Sequence, residues 1–243
     1  MTTTTRPRPA TQSSPPTYRQ TAAIVGALFL ITYITSIAAK AVFYQPLFDT
    51  PDYVTSAGDD TMLLWGAFCE VILIIANIGT AVAFYPLLRR RYNGLALGFV
   101  TARVMESVFI AVGILSVLTV VTLRQDVASG DDASAGMAAV SDALVALQQW
   151  TFNLGPGFVV GVGNGMLLGY MMYRTGLVPR GMAWLGLIGG PLLCISGTAI
   201  LFGVIEAGST WAKVAVVPEF FWELSFGLYL LIKGFRPTPL TSA

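Results

Sequence analysis

Long apolar runs alternate with short polar stretches along most of this chain. About twenty apolar residues in helical form cross the ~30 Å hydrocarbon core of a bilayer. The pattern therefore predicts an all-α fold, a polytopic membrane bundle of six transmembrane helices within residues 21–235. The six runs lie at residues 21–43, 62–88, 95–123, 142–173, 181–204 and 211–233. Residues 1–20, rich in Thr, Pro, Ser and Arg, predict a disordered tail, and residues 236–243 form a short second tail.

The fourth run is too long for one straight span. At 1.5 Å per residue it would reach roughly 48 Å, so Gly155-Pro156-Gly157 predicts a kink or break at 155–157. A face without side chains allows two helices to approach closely. We expect such a packing face where glycine recurs at every fourth position, and Gly-rich helix faces also suggest a homo-oligomer. The repeated positions are Gly157, Gly161, Gly165 and Gly169.

Basic residues give the predicted bundle an orientation. Lys and Arg concentrate in the cytoplasmic loops of membrane proteins. Most of the 14 Lys and Arg residues fall on one side, in the N-terminal tail, at 89–91, at 174–180 and at the C-terminal end. Both termini are therefore predicted to be cytoplasmic. An alternative treats the first run as a signal peptide cleaved near Ala39-Lys40-Ala41, but its removal would break the alternation of charge.

Composition supports a membrane protein and excludes several chemistries. The chain is 55% hydrophobic and 11% charged, with a mean hydropathy of +0.70, whereas soluble domains carry about 25% charged residues. The lipid bilayer is thus a required partner. A net charge of +1 gives no basic bias toward nucleic acid. The sequence has no histidine, which excludes His-based acid–base catalysis and His ligation of metals, and we expect no cofactor and no metal.

Charged side chains inside the apolar runs mark the candidate site. Arg103 and Glu106 lie in the third run, three positions apart and hence on one helix face. Glu223 of the sixth run falls at a similar depth, near the middle of the membrane. A charge at that depth costs at least ~2.5 kcal/mol. We therefore expect these three side chains to meet inside the bundle.

Two more carboxyl groups and one amide extend this set. Glu219 lies one helical turn from Glu223, and Glu70 lies in the outer half of the second run, so either is expected to close the outer edge of the site. Because Glu219 follows Pro218, its alternative position is a first helical turn near the interface. Asn164 of the fourth run is expected to hydrogen-bond between helices.

Four carboxyl groups would then surround a single guanidinium. Burial in a low-dielectric interior and repulsion between like charges both favour the neutral form of a carboxyl group. We therefore expect at least one protonated Glu at pH 7, or a cavity that holds water or a bound cation. Proton-coupled carriers use membrane carboxyl groups that face a cavity. The alternative is a hydrogen-bonded clasp in which Arg103, Glu106 and Glu223 only fix the register of the helices.

Three short motifs, taken in order, resemble a known family. They are Arg103-Val-Met-Glu106, Arg174-Thr-Gly-Leu-Val-Pro-Arg180 and Pro218…Glu223…Lys233-Gly234. Their order and spacing resemble the bacterial membrane family catalogued as domain of unknown function 4386, over about residues 21–235. The resemblance implies a multi-pass bacterial membrane protein and carries over no catalytic residues.

Three functions stay open at this point. The first is a membrane protein that binds a small molecule or cation at Arg103, Glu106 and Glu223, as in proton-coupled transport. The second is a non-catalytic structural or sensor subunit whose buried charges only hold the bundle together. The third is an intramembrane enzyme with paired carboxyl groups as acid–base groups or metal ligands. The absence of any Glu-x-x-His pair weighs against a metal site of that kind.

Overall fold

The protein is an all-helical, multi-pass membrane protein. The computed structural model describes residues 16–50, 53–56, 59–129 and 135–241, and every regular element in these ranges is helical. Five helical stretches are long and apolar enough to cross a membrane. The α-helices in chain order are α1 (Pro16–Ala38), α2 (Gln45–Asp49), α3 (Thr61–Ala128), α4 (Ala135–Phe152), α5 (Gly169–Thr175), α6 (Arg180–Leu201) and α7 (Thr210–Ile232).

Helix α3 is 68 residues long and folds back on itself. Straight, it would measure roughly 100 Å, more than three times the hydrocarbon core. The backbone leaves helical geometry at Tyr92, with φ −136° and ψ 61°. At the ends of α3, Asp60 forms an ion pair with Arg124, so the two halves run antiparallel. The sequence predicted a connection over residues 89–94, whereas the structure concentrates the bend at one residue.

The fourth run, where the sequence predicted a kink or break, continues as a helix with wider, π-helical turns. The chain stays helical from α4 to α5 through two π-helical segments, Asn153–Val159 and Gly161–Leu168. Pro156 lies inside the first segment. Proline has no N–H to donate and clashes with the preceding turn of an α-helix, and a π-helical turn is one way to absorb that clash. A shorter π-helical segment, Ala39–Phe43, extends α1.

Helix ends differ from the predicted spans in several places. Helix α1 begins at Pro16 and α4 begins at Ala135, each several residues before the expected start. Residues 16–20 of the predicted tail are therefore helical, and residues 1–15 lie outside the described residues. In the second predicted tail, residues 236–241 are described and contain no helix.

Glycine faces bring the π-helical segments against α6. A Cβ built on Gly161 would lie 2.7 Å from the Gly190 carbonyl oxygen, and a Cβ on Gly190 would lie 2.8 Å from the Met166 nitrogen. Real Cβ atoms do not approach other atoms so closely, so both positions require glycine. The repeated glycines that suggested an oligomer thus contact a second glycine face within one chain.

An aromatic cluster fills one end of the bundle. Phe29 of α1 meets Phe226 of α7 edge to face, with ring centres 5.0 Å apart. Trp222 and Phe84 also pack on Phe226, with ring centres 4.8 and 6.2 Å away. All four side chains are buried, and these contacts join α1, α3 and α7. Around them the bundle exposes many large apolar side chains, as expected where the surface faces lipid.

The opposite end is fixed by Arg124. This residue is 5% exposed. Its guanidinium donates to the Tyr53 hydroxyl (3.1 Å) and to the Ser56 carbonyl (3.2 Å), and it forms the ion pair with Asp60. Burial raises the pKa of Tyr53, so its hydroxyl stays protonated and donates to Asp60 (3.2 Å). The connection between α2 and α3 is therefore held against the end of α3.

Replacing Gly190 should destabilise the bundle. In Gly190→Ala the new methyl group meets backbone atoms of the π-helical segments, which have little room to move. We expect a loss of about 1–3 kcal/mol and a lower midpoint of thermal unfolding in detergent. Gly181→Ala is the matched control because it lies in the same helix with nothing within 4 Å of its Cβ. Equal midpoints for the two variants would contradict the close packing of α6.

Candidate functional site

Arg103 and Glu106 form a buried ion pair on one face of α3. The distance from Arg103 Nη1 to Glu106 Oε2 is 2.8 Å, and the two side chains are 2% and 6% exposed. The pair follows from the helix itself, because residues three positions apart lie on the same face. Both partners lie in the same half of α3, so this ion pair does not connect one helix to another.

The bend at Tyr92 brings Arg103 into contact with the other half of α3. Thr80 lies about twelve residues before the bend and Arg103 about eleven after it, so the antiparallel halves place them at the same depth. Arg103 Nε donates to Thr80 Oγ1 (3.2 Å), and the guanidinium carbon lies 5.3 Å from the centre of the Phe29 ring. The cation is therefore held by both halves of α3 and by an aromatic ring of α1.

Glu223 reaches the site from α7 and is held by Asn164. The Asn164 side-chain amide donates to Glu223 Oε1, and the Trp222 indole N–H donates to the Asn164 carbonyl oxygen (3.1 Å). Asn164 is completely buried and lies in the second π-helical segment. These two bonds join α7 to that segment beside the carboxyl group.

The charged groups line one cavity of about 210 Å³. Arg103, Glu106, Glu219 and Glu223 all contribute to its wall. Helices α1, α3, α4, α6 and α7 and the first π-helical segment supply the rest. The other lining residues are Thr32, Tyr33, Ser36, Ile37, Leu73, Asn77, Phe152, Pro156, Gly157, Val160, Leu193, Val216 and Phe220. The cavity is large enough for several water molecules or a small organic group.

Several buried polar atoms in this wall have no hydrogen-bond partner among the described residues. They belong to four side chains and are the Tyr33 hydroxyl, both amide atoms of Asn77, Arg103 Nη2 and both carboxyl oxygens of Glu219. Leaving a buried donor or acceptor unsatisfied costs about 1–3 kcal/mol, and more for a charged group. So many such atoms around one cavity leave hydrogen-bonding positions there that water or a polar ligand could fill.

The cavity is rich in acid. Three carboxyl groups, those of Glu106, Glu219 and Glu223, face a single guanidinium. Only Glu106 is paired with it directly. An isolated carboxylate is costly in a low-dielectric interior. The remaining two carboxyl groups therefore require a proton, a cation or solvating water.

The structure brings together most of the residues that the sequence singled out, with one exception and one correction. Glu70 lies apart from the cavity wall and instead accepts a hydrogen bond from the Tyr44 hydroxyl (2.8 Å). The alternative that placed Glu219 in a first helical turn is wrong. Helix α7 begins at Thr210, so Glu219 lies more than two turns inside the helix, where it is 2% exposed.

Three polar residues of α1 belong to the cavity wall although they were not singled out. Thr32, Tyr33 and Ser36 line the cavity, and Thr32 and Ser36 are four positions apart on one face of α1. That spacing of small polar residues inside an apolar run was the available signal. Among the described residues, no three Cys, Asp, Glu or His side chains form a group that could hold a metal ion.

Comparison with known proteins places the chain in a family. The profile of Domain of unknown function (DUF4386) matches residues 24–234, which include every cavity-lining residue. The chain belongs to this family. No curated protein and no solved structure matches it. DUF4386 membership agrees with the multi-pass membrane fold and leaves the role of the cavity to be inferred from its geometry.

Removing the guanidinium should destabilise the protein because it leaves a buried carboxylate unpaired. We expect Arg103→Met to cost about 3 kcal/mol and to lower the midpoint of thermal unfolding. The double variant Arg103→Met, Glu106→Gln should recover part of that loss, since the orphaned charge is gone. Val104→Ala, at an exposed neighbouring position, is the control. A single Arg103→Met variant as stable as that control would rule out a charged pair.

Proposed function

We propose that the chain crosses a bacterial inner membrane six times, with both termini in the cytoplasm. Support comes from the bend at Tyr92, which divides α3 into two antiparallel halves of spanning length. Contacts near the bend and the chain ends agree with this topology. Arg90 donates to the Tyr18 hydroxyl (2.7 Å) at the start of α1, and the Arg236 backbone N–H donates to the Leu177 carbonyl (2.8 Å). The basic segments are thereby gathered at one end of the bundle.

Reporter fusions test this topology. We expect green fluorescent protein fused after residue 243 to fluoresce and alkaline phosphatase fused there to be inactive, because both report cytoplasmic placement. The same two reporters inserted between α6 and α7, within residues 204–208, should give the reverse result. Active alkaline phosphatase at the C-terminus would show that the number of crossings is odd or that the orientation is inverted.

We propose that the cavity binds a small organic cation and exchanges it for a proton. The observation that carries this proposal is Glu219, a cavity-lining residue whose two buried carboxyl oxygens have no hydrogen-bond partner among the described residues. Glu223 adds a second carboxyl group beside it, and the aromatic rings of Tyr33, Phe152 and Phe220 line the same wall. Carboxyl groups and aromatic faces together suit an ammonium group.

The exchange follows from charge balance. With the cavity empty of a cation, protons on the carboxyl groups avoid an uncompensated negative charge in a low-dielectric interior. When a cation binds, the proton is released because the cation now neutralises the carboxylate. Binding of the cation therefore strengthens as the pH rises, by up to tenfold per pH unit for one released proton. Such a cycle is the basis of proton-coupled transport.

Tetramethylammonium is a suitable first probe. The protein in nanodiscs is titrated with tetramethylammonium chloride, against sodium chloride at equal ionic strength, and the midpoint of thermal unfolding is measured. We expect tetramethylammonium to raise the midpoint, and the effect to grow with pH. In Glu219→Gln and Glu223→Gln the affinity should fall at least tenfold. Glu206→Gln makes the same charge change at an exposed loop position and should bind like the unmodified protein.

The structural or sensor role is the second candidate, favoured by the contacts around Asn164. That residue joins α7 to the second π-helical segment through Glu223 and Trp222, as a packing clasp would. A clasp predicts that Glu223→Gln lowers the unfolding midpoint and that tetramethylammonium shifts no midpoint at any pH. Glu219 has no place in such a clasp, because its oxygens form no bond to another described residue. The proposed cation would give these two oxygens a partner.

A further inference from the structure

The cavity reaches the outer surface of the bundle between α1 and α7. Ile37 of α1 and Val216 and Phe220 of α7 all line it, and their exposed fractions are 42%, 44% and 38%. The same three side chains belong both to the cavity wall and to the outer surface of the bundle. They are the positions at which the cavity comes nearest to the surface, and they form the rim of the opening.

On the side of the aromatic cluster, the interface between α1 and α7 is closed. Phe29 packs edge to face on Phe226, with ring centres 5.0 Å apart. Further along the same interface, a Cβ built on Gly26 would lie 2.7 Å from the Gly227 carbonyl oxygen. The two helix backbones touch there and leave no room for a ligand. The rings of Tyr33 and Phe220 also meet across this interface, with ring centres 4.9 Å apart. The opening is thus confined to the part of the interface beyond them, which contains Ile37 and Val216.

The direct route from the other end of the bundle is covered as well. Phe152 forms part of the cavity wall, and the Lys40 ammonium lies 4.6 Å from the centre of its ring. The same ammonium lies 4.2 Å from the centre of the Phe48 ring. A cation between two aromatic rings is a favourable arrangement, and it places a positive charge across the path of an incoming cation. The side opening is the less obstructed route.

We propose that this opening is a lateral portal through which an amphipathic organic cation enters from the membrane. The proposal rests on the cation site described above and adds its access route and the class of ligand. The positive head lies at Glu219 and Glu223, and the apolar tail lies among Ile37, Val216 and Phe220. The three rim residues offer only apolar contact, and in a membrane protein exposed positions on a long apolar helix face acyl chains. A ligand with a charged head and an alkyl tail matches both parts.

Two probes that share a quaternary ammonium head group test the portal separately from the cation site. Decyltrimethylammonium carries a tail and tetramethylammonium does not. Radiolabelled probes are bound to the protein in phosphatidylcholine nanodiscs, with empty nanodiscs subtracted. In Val216→Trp, the indole fills the portal, so we expect the dissociation constant of decyltrimethylammonium to rise at least tenfold and that of tetramethylammonium to change less than twofold. Ile37→Trp, on the opposite rim, should behave the same way.

The matched control positions lie one residue from Val216 and one helical turn from Ile37. Val217→Trp and Ile34→Trp place the same indole on exposed faces of α7 and α1 that do not line the cavity, and both should bind the two probes like the unmodified protein. If the rim variants bind both probes normally, or weaken both equally, the portal is overturned. Decyl sulfate that binds as tightly as decyltrimethylammonium would overturn the cationic class.

The variant Glu219→Gln distinguishes a failure of the portal proposal from a failure of the cation site. It should weaken both probes at least tenfold, because both use the head site. If it weakens both while the rim variants weaken neither, the portal is wrong and the cation site stands. If it leaves both unchanged, or if the unmodified protein binds neither probe, the cation site fails and the portal proposal fails with it.

Discussion

A guanidinium buried among apolar helices is the constraint on which the arrangement of this bundle depends. Arg103 is 2% exposed, and burying an ion without partners would cost more than a typical fold can supply. Its partners come from its own helix turn, from the other half of α3 and from the aromatic ring of Phe29. The bend at Tyr92 must therefore place the two halves of α3 at matching depth, and α1 must lie across them.

The need to pair Arg103 does not account for all the acidic side chains of the site. One carboxyl group, Glu106, is sufficient to pair the guanidinium. Glu219 and Glu223 come from a different helix and bring charge that Arg103 does not compensate. If these two positions served packing alone, apolar residues would be expected at both. Replacing buried ionic groups by well-packed apolar ones is often neutral or stabilising. Their presence in a cavity wall is the feature that a purely structural bundle leaves unexplained.

The sequence predicted the parts of this structure that depend on local spacing. Apolar run lengths identified the long helices, and the three-residue spacing of Arg103 and Glu106 identified their ion pair. The sequence could not show how each helix is rotated about its axis. Glu70 and Asn77 are seven positions apart and share a face of α3, yet only Asn77 lines the cavity, because the helix carries Glu70 up to Tyr44 at another depth. Rotation and depth are set by neighbouring helices, so no local pattern encodes them.

The π-helical segments decide which side chains of this stretch face the neighbouring helices. A π-helical turn holds more residues than an α-helical turn, with hydrogen bonds closing over five residues. The residues that follow such a turn are therefore rotated about the helix axis relative to their positions in a regular α-helix. Between Asn153 and Leu168 this rotation sets the face that packs against α6 and α7, and it is the Asn164 side chain that meets Glu223.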